Sequence, residues 1–403
     1  MVFDVEGVLI PRNRLFFEVG RSLGWVPLLK ILFYGFLYEI GAVQLTEALK
    51  RLYKVARGAD VELFVRSYEK LPLMPNAEEV FAKLKAQKCK TALISSGLPT
   101  FLVEKLANSL GADYAVGVEV GAENGLLTGE IWGDVIQDKG KLLVFRELIE
   151  SEHVYLQNCT VVVDDRNNAS LLLREVRKIG YNSDFIIRAK ADAVVNSKLA
   201  RILPIALGNV KKRSLPSRKD VFRKTIHGLG FFVPLIASWL GLLTMALVIC
   251  VVVALYTVSE WARLQGKNVP LISVITRNAA SQSELCEFTL APIYFAVGIL
   301  LTLLLFHAPA SSAAIAIFAI GDSTASLIGG AASGRPLPFN RAKTLEGSLG
   351  GFFFAFLAGS LFVSPWLALV GATVAMIVEY LPLPVNDNVL MPLFTGLALT
   401  LLM

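Results

Sequence analysis

The sequence predicts an α/β doubly wound parallel sheet with a helical insert, followed by an all-α polytopic transmembrane domain of about seven helices. Three observations carry this expectation. Up to about Leu207, short apolar stretches alternate with polar ones, as in a soluble α/β domain. From Gly228 onward, long apolar runs dominate, each near the ~20 residues a helix needs to span a bilayer. Between the two lies a basic stretch, "KKRSLPSRKDVFRK", from Lys211 to Lys224. The 403 residues are enough for two domains, and a hydrophobic fraction of 54% is high for a soluble protein. The expected organisation is a soluble domain at 1–207 with an insert at about 10–72, a juxtamembrane linker at 208–225 and a membrane domain at 226–403.

Charge and cysteine content narrow the setting. The net charge is +6, and much of the excess sits in the Lys211–Lys224 stretch. Directly before an apolar run, such a stretch reads as a segment touching anionic headgroups rather than as a nucleic-acid site, so no nucleic-acid partner is expected. Residues 1–9, "MVFDVEGVL", carry an acidic pair and no basic n-region, so the first domain is expected in the cytoplasm. Cys89, Cys159, Cys250 and Cys286 are scattered, which fits a reducing compartment without structural zinc.

The elements of the first half follow in order. "MVFDVEGVLI" is an apolar strand running into Asp4-Val5-Glu6-Gly7, and a helical insert extends from there to about Leu71. "TALISSG" (Thr91–Gly97) is a strand leading into serines, "DKGK" (Asp138–Lys141) opens a helix, and "CTVVVDDRNNASLL" ends a strand in Asp164-Asp165. Strands that end in acids, serine and lysine, alternating with helices, predict one active site at the C-terminal edge of a parallel sheet.

These four motifs, in this order, resemble the haloacid dehalogenase superfamily over about residues 1–190, nearest its phosphoserine-phosphatase-like branch. "LMPNAEEVFAKLKAQKCKTALISSG" and "GLLTGEIWGD" support that branch. The resemblance implies phosphate-ester hydrolysis through an aspartyl-phosphate. Asp4 would be the nucleophile and Glu6 the general acid/base, with Ser95 and Lys139 holding the phosphoryl oxygens. Asp4, Glu6, Asp164 and Asp165 would form a Mg²⁺ site. Glu6 stands where the family's first motif usually has a second aspartate, and "VDDRNN" puts Asn168 where a second acid often sits. The insert, "GWVPLLKILFYGFLYEIGAVQL" (Gly24–Leu45), is unusually apolar for a lid. Ordinary core packing is one reading. An apolar pocket or membrane-facing surface suited to a lipid phosphate is the other.

In the second half the apolar segments are Gly228–Leu240, Leu242–Val258, Phe288–Phe306, Ser311–Gly330, Ser348–Val363, Leu367–Leu381 and Val389–Met403. As one helix, 228–258 would extend about 46 Å, beyond the hydrocarbon core, so two are expected. Arg263, Lys267, Arg277, Arg335, Arg341 and Lys343 fall in alternate connections, whereas His307–Ala310 and Ser364–Trp366 hold no Lys or Arg. A multi-pass membrane protein with a cytoplasmic N-terminus satisfies the positive-inside rule throughout.

Asp322, in "GDSTASLIGG", is an acid within an apolar run, which is functional by default. Arg335, Lys343, Glu346, Glu379 and "NDN" (Asn386–Asn388) complete a set of acids and bases, with His227 at the entry of the first segment. Acids that hold Mg²⁺ beside bases that neutralise phosphate suit a nucleotide. "GDSTASLIGG…GR…KTLEGSLGG" followed by "E…VNDN…MPL" resembles the dolichol kinase and phytol kinase family, related to phosphatidate cytidylyltransferases, over about Arg223–Met403. That resemblance implies phosphoryl transfer from CTP to a long-chain isoprenoid alcohol. Asp322 and Asp387 would be metal or nucleotide ligands, Glu346 would bind metal or orient it, Lys343 would clamp phosphate, and Arg335 and Asn388 would contact the nucleotide. Glu379 alone could be a solvated helix end. A cytidylyltransferase acting on a lipid phosphate, or a non-catalytic membrane module beside a soluble phosphatase, remain alternatives. The oligomeric state is open.

Overall fold

In a computed structural model, residues 1–403 are described except 40, 197, 209–215, 268, 271 and 333. The chain divides into two compact units, residues 1–209 and 210–403. Part of the basic stretch, residues 211–215, lies outside the described residues.

Among the described residues, the first unit is built on a sheet of seven strands: β1 (Val2–Asp4), β2 (Ala92–Pro99), β3 (Tyr114–Glu123), β4 (Leu126–Trp132), β5 (Thr160–Val163), β6 (Arg177–Tyr181) and β7 (Ala193–Val195). Their spatial order is β4-β3-β2-β1-β5-β6-β7, parallel except for the β3–β4 hairpin. β1 lies between β2 and β5, with Val2 opposite both Ala92 and Val161. That is the point where the strand order reverses, the crevice in which doubly wound sheets place their ligands. Buried on both faces, β1 and β5 read as unbroken apolar runs, Val2-Phe3 and Val161–Val163, and so cannot show a period of two.

Helices α1 (Arg14–Leu23), α2 (Trp25–Glu39), α3 (Leu45–Val55) and α4 (Val61–Glu69) form the insert after β1. α1 packs against α2 and α4, and α2 against α3. Helices α5 (Ala77–Ala86), α6 (Thr100–Leu110), α7 (Gly140–Ser151), α8 (Phe185–Lys190) and α9 (Ile202–Ala206) accompany the strands. The core gathers Phe3, Phe81, Leu93, Phe145 and Val162.

The second unit is helical: α10 (Arg218–Gly228), α11 (Val233–Leu240), α12 (Leu242–Leu264), α13 (Ile272–Ala279), α14 (Ala291–Leu305), α15 (Ala310–Ala331), α16 (Leu345–Gly359), α17 (Pro365–Tyr380) and α18 (Asp387–Leu402). Every apolar segment of the sequence contains one helix. α12 and α15 are long and apolar enough to cross a membrane, and the other five are shorter. Gly241, at φ +86, separates α11 from α12, a conformation that suits glycine. Two differences from the sequence reading stand out. α10 has a capping box between Ser217 and Asp220, so the described end of the basic stretch is helix, not linker. The connection expected from Val258 on also differs: α12 continues to Leu264, its last turn carrying the Arg263–Glu260 pair at 2.6 Å, and α13 follows within the basic connection.

α15 is the centre of this unit. Residues Ala313–Ala319 are fully buried, and α10, α14, α16, α17 and α18 all pack against it. Small residues set the α15–α16 distance. A Cβ on Gly351 would stand 2.6 Å from the Ala325 Cβ and 2.9 Å from the Gly321 carbonyl oxygen. Gly351→Leu is therefore expected to lower the stability of this unit by about 1–3 kcal/mol, the usual cost of overpacking. Thermal unfolding of the solubilised full chain checks it, with Gly228→Ala, a helical position where a Cβ would meet only Ser323 Oγ at 3.8 Å, as the mild control.

Candidate active site

The site in the first unit assembles from strand ends. Asp4 closes β1, and its Oδ1 accepts from the Val5 amide at 2.8 Å. Lys141, in the first turn of α7, places Nζ 2.8 Å from Asp4 Oδ1 and 2.8 Å from Asn168 Oδ1. The Asn168 amide donates to Asp4 Oδ2 and, at 2.8 Å, to Asp165 Oδ1. Asp4, Lys141 and Asn168 are all buried, so each polar atom needs this partnership.

Asp164 follows β5 directly. Arg12 donates from Nε to its Oδ2 at 3.0 Å, and Arg12 Nη2 contacts the same oxygen. Asp164 Oδ1 is buried without a partner. One carboxylate oxygen from each of Asp4, Asp164 and Asp165 can be chosen so that all lie within 4.8 Å of one another. Burial, and then the neighbouring acids, raises both Asp164 and Asp165, although Arg12 opposes it. Three crowded carboxylates with an unused oxygen fit a divalent cation such as Mg²⁺, which takes oxygen ligands and relieves their repulsion.

Glu6 faces the same pocket, two residues past Asp4. Burial, and then the charge of Asp4, pushes its carboxyl up to about 7, a value suited to moving a proton near neutrality. Gly97 makes room for it, since a Cβ there would lie 2.0 Å from Glu6 Oε2. Gly7, at φ +79, does the same for Asp164, whose Oδ2 would meet a Cβ at 1.8 Å. Burial lowers the Lys141 ammonium, but Asp4 and Asp165 outweigh it, and the net shift is upward.

Residues 1–167 match the haloacid dehalogenase-like hydrolase family. The first unit is a haloacid dehalogenase-like domain. Among relatives, the phosphoserine phosphatase of Archaeoglobus fulgidus is 29% identical over 222 residues, 55% of this chain and 62% of that protein. That of Methanocaldococcus jannaschii is 23% identical over 198 residues, 49% of this chain and 92% of that protein. The chain thus spans less than two thirds of the first of these relatives. A solved structure titled as a substrate-bound phosphoserine phosphatase complex aligns with 22% identity and a TM-score of 0.47, covering 51% of this chain and 96% of that one.

The haloacid dehalogenase-like domain corrects three sequence expectations. Lys139 is exposed, at φ +56 just before α7, and the lysine on Asp4 is Lys141. Both lysines occur in "DKGK", and only the backbone turn at Lys139 decides which one points inward. Ser95 Oγ is turned to the amides of Gly97 and Leu98, at 3.2 and 2.9 Å, and it is Ser96 that lines the pocket. Pairing of β2 with β3 is irregular between Ile94 and Pro99, so strand alternation could not choose between the serines. Glu6 stands outside the three-acid group. Sequence reasoning also missed Arg12, whose partner Asp164 is distant in the chain.

In the second unit, Asp322 is buried, with Lys224 Nζ at 2.6 Å and His227 Nδ1 at 3.5 Å from its Oδ2. Lys343 Nζ lies 2.6 Å from Glu379 Oε1 and 3.5 Å from Asp387 Oδ2. Glu379 is only 2% exposed, so it is not a solvated helix end. Glu346 Oε1 accepts from the Arg335 amide at 3.3 Å, and its Oε2 is buried and unpartnered. The Arg335 side chain is exposed, and Asn388 is buried at the start of α18. Asp322, Glu346 and Asp387 do not come together as a three-acid group among the described residues. Among the described residues, the three-acid group is that of Asp4, Asp164 and Asp165. A buried carboxylate needs a countercharge, and lysines supply it at Asp322 and Glu379. Lys224 was overlooked because it sits in the basic stretch.

Removing Lys141 would leave Asp4 charged and Asn168 Oδ1 unpaired in a closed site. Lys141→Ala is therefore expected to cost roughly 3–5 kcal/mol in the first unit, while Lys139→Ala stays within about 0.5 kcal/mol. Hydrogen exchange of the β1 and β5 amides measures the difference.

Proposed function

We propose that the first unit is a phosphomonoester hydrolase working through a phosphoryl group carried on Asp4. The observation that supports it is the pairing of Asp4 with Lys141 and Asn168 beside Asp164-Asp165, with Glu6 facing the same pocket. An Asp4 carboxylate oxygen attacks phosphorus, the ester P–O bond breaks, and the departing alkoxide takes the proton from Glu6. Glu6, now ionised, takes a proton from water as that water attacks the phosphoryl group. The P–O bond to Asp4 breaks, releasing inorganic phosphate and restoring both carboxyl groups. Lys141 balances and orients the phosphoryl oxygens, and Ser96, whose hydroxyl donates to the Val135 carbonyl at 2.8 Å, lines the pocket beside it. Asp4, Asp164 and Asp165 would hold Mg²⁺, which when bound neutralises charge on the phosphoryl group.

Phosphate release from p-nitrophenyl phosphate by the full chain with Mg²⁺ tests this reading. Asp4→Asn is expected to abolish release, and Glu6→Gln to lower it roughly 10²–10⁴-fold. Lys139→Ala should stay within twofold of wild type. Undiminished release by Asp4→Asn would overturn the assignment.

A second reading concerns the second unit. We infer a multi-pass membrane enzyme, its N-terminal unit cytoplasmic, that uses CTP to phosphorylate a long-chain isoprenoid alcohol. The observation favouring it is the pair of buried ion-pair groups, Lys224–Asp322 and Lys343–Glu379, among otherwise apolar helices, where charge is costly without a task. Asp4→Asn, which cannot hydrolyse the product, should make prenyl phosphate from CTP and a prenol, and Asp4→Asn/Asp322→Asn should not. A product heavier by CMP, or no product, would replace this reading with a cytidylyltransferase or a non-catalytic module.

A further inference from the structure

Helix α2 is apolar on two sides. Leu28 and Ile31 are buried, and both approach Gly20 of α1. The opposite face carries Trp25, Leu29, Phe33 and Phe36, which are 75%, 61%, 56% and 60% exposed. Their spacing keeps them on one side of the helix, and Val26 and Leu32 widen the strip. Between Trp25 and Tyr38 the only charged residue is Lys30, which is exposed, and there is no acid. A water-facing helix would be polar on this side. A tryptophan at one end, a lysine within and the single acid, Glu39, at the far end suit a helix lying in the headgroup layer of a bilayer.

The same helix reaches the catalytic pocket. Gly35 and Tyr38 line it with Asp4 and Glu6. Arg166 donates to the Tyr38 carbonyl oxygen at 2.6 Å and lies 5.0 Å over its ring, and the Asn167 amide contacts the Tyr38 hydroxyl. The end of α2 is thus clasped to the loop that carries Asp165 and Asn168. The pocket wall beyond the carboxylates is mostly apolar, Phe16, Leu45, Ala48, Leu49 and Leu52, with Asn13, Tyr38 and Asn167 among them. Its two cations, Arg12 and Lys141, are both engaged by carboxylates. The part of a substrate beyond its phosphate therefore meets a largely apolar wall.

We propose that α2 rests its exposed face on a bilayer and that the phosphatase site takes its substrate from there, a phosphomonoester of a long-chain lipid. This rests on the hydrolase reading above. The bilayer is chosen over other apolar partners because the same chain carries two helices long and apolar enough to cross one.

The test uses the full chain in phosphatidylcholine–phosphatidylglycerol vesicles with geranylgeranyl phosphate, phosphoserine and p-nitrophenyl phosphate. The lipid phosphate is expected to exceed phosphoserine at least tenfold in kcat/KM. Trp25→Asp/Leu29→Asp should lower lipid phosphate hydrolysis at least tenfold while p-nitrophenyl phosphate stays within twofold, which also shows that the variant is folded. Trp25→Ser, which adds no charge, should weaken lipid phosphate hydrolysis alone. A preference for phosphoserine, or equal effects of Trp25→Ser on all three esters, overturns the inference and leaves the hydrolase reading standing. Conversion of a dimer to a monomer by Trp25→Ser would make the face a contact between copies and overturn it too. No hydrolysis of any ester overturns both.

Discussion

The first unit depends on the buried contact of Lys141 with Asp4 and Asn168. A carboxylate at the end of a central strand, closed off from water, is tolerable only with a countercharge and satisfied hydrogen bonds. Lys141 supplies the charge, and Asn168 joins both partners to Asp165. The consequences reach across the sheet. β1 must end at Asp4, β5 must deliver Asp164-Asp165 beside it, and α7 must begin close enough for its first turn to reach both. Gly7 and Gly97 are then required because carboxylate oxygens occupy the space a Cβ would take.

The second unit obeys the same constraint with different partners. Asp322 and Glu379 are each matched by a lysine from another segment, Lys224 and Lys343. Buried ion pairs of this kind add little net stability compared with apolar packing, so their presence points to a task rather than to folding. The small residues along α15 and α16 bring the backbones together around that region.

Much of this was legible in the sequence, and the gaps have physical causes. Acids at the ends of apolar strands stand out, so Asp4, Glu6, Asp164 and Asp165 could be placed at one edge before any coordinates. The choices of Lys141 over Lys139 and Ser96 over Ser95 could not be read. Each turns on a local backbone conformation, a positive φ before α7 and an irregular stretch of β2. Arg12 and Lys224 were hidden because an ion pair between distant residues leaves no periodic trace. The apolar character of α2 was plain, but a helix apolar on both sides gives no clue to which face is buried. Only the packing shows that Leu28 and Ile31 turn inward while Trp25 and Phe33 do not.

The central claim is that Asp4 carries the phosphoryl group. The most direct test is to quench the full chain in acid during turnover of a phosphomonoester, reduce it with borohydride, and locate the modified residue by mass spectrometry. Reduction converts an aspartyl-phosphate to homoserine. The account predicts homoserine at position 4, absent without substrate and in a Lys141→Ala chain. Phosphate release with no modification at Asp4, or with modification at another residue, would contradict it.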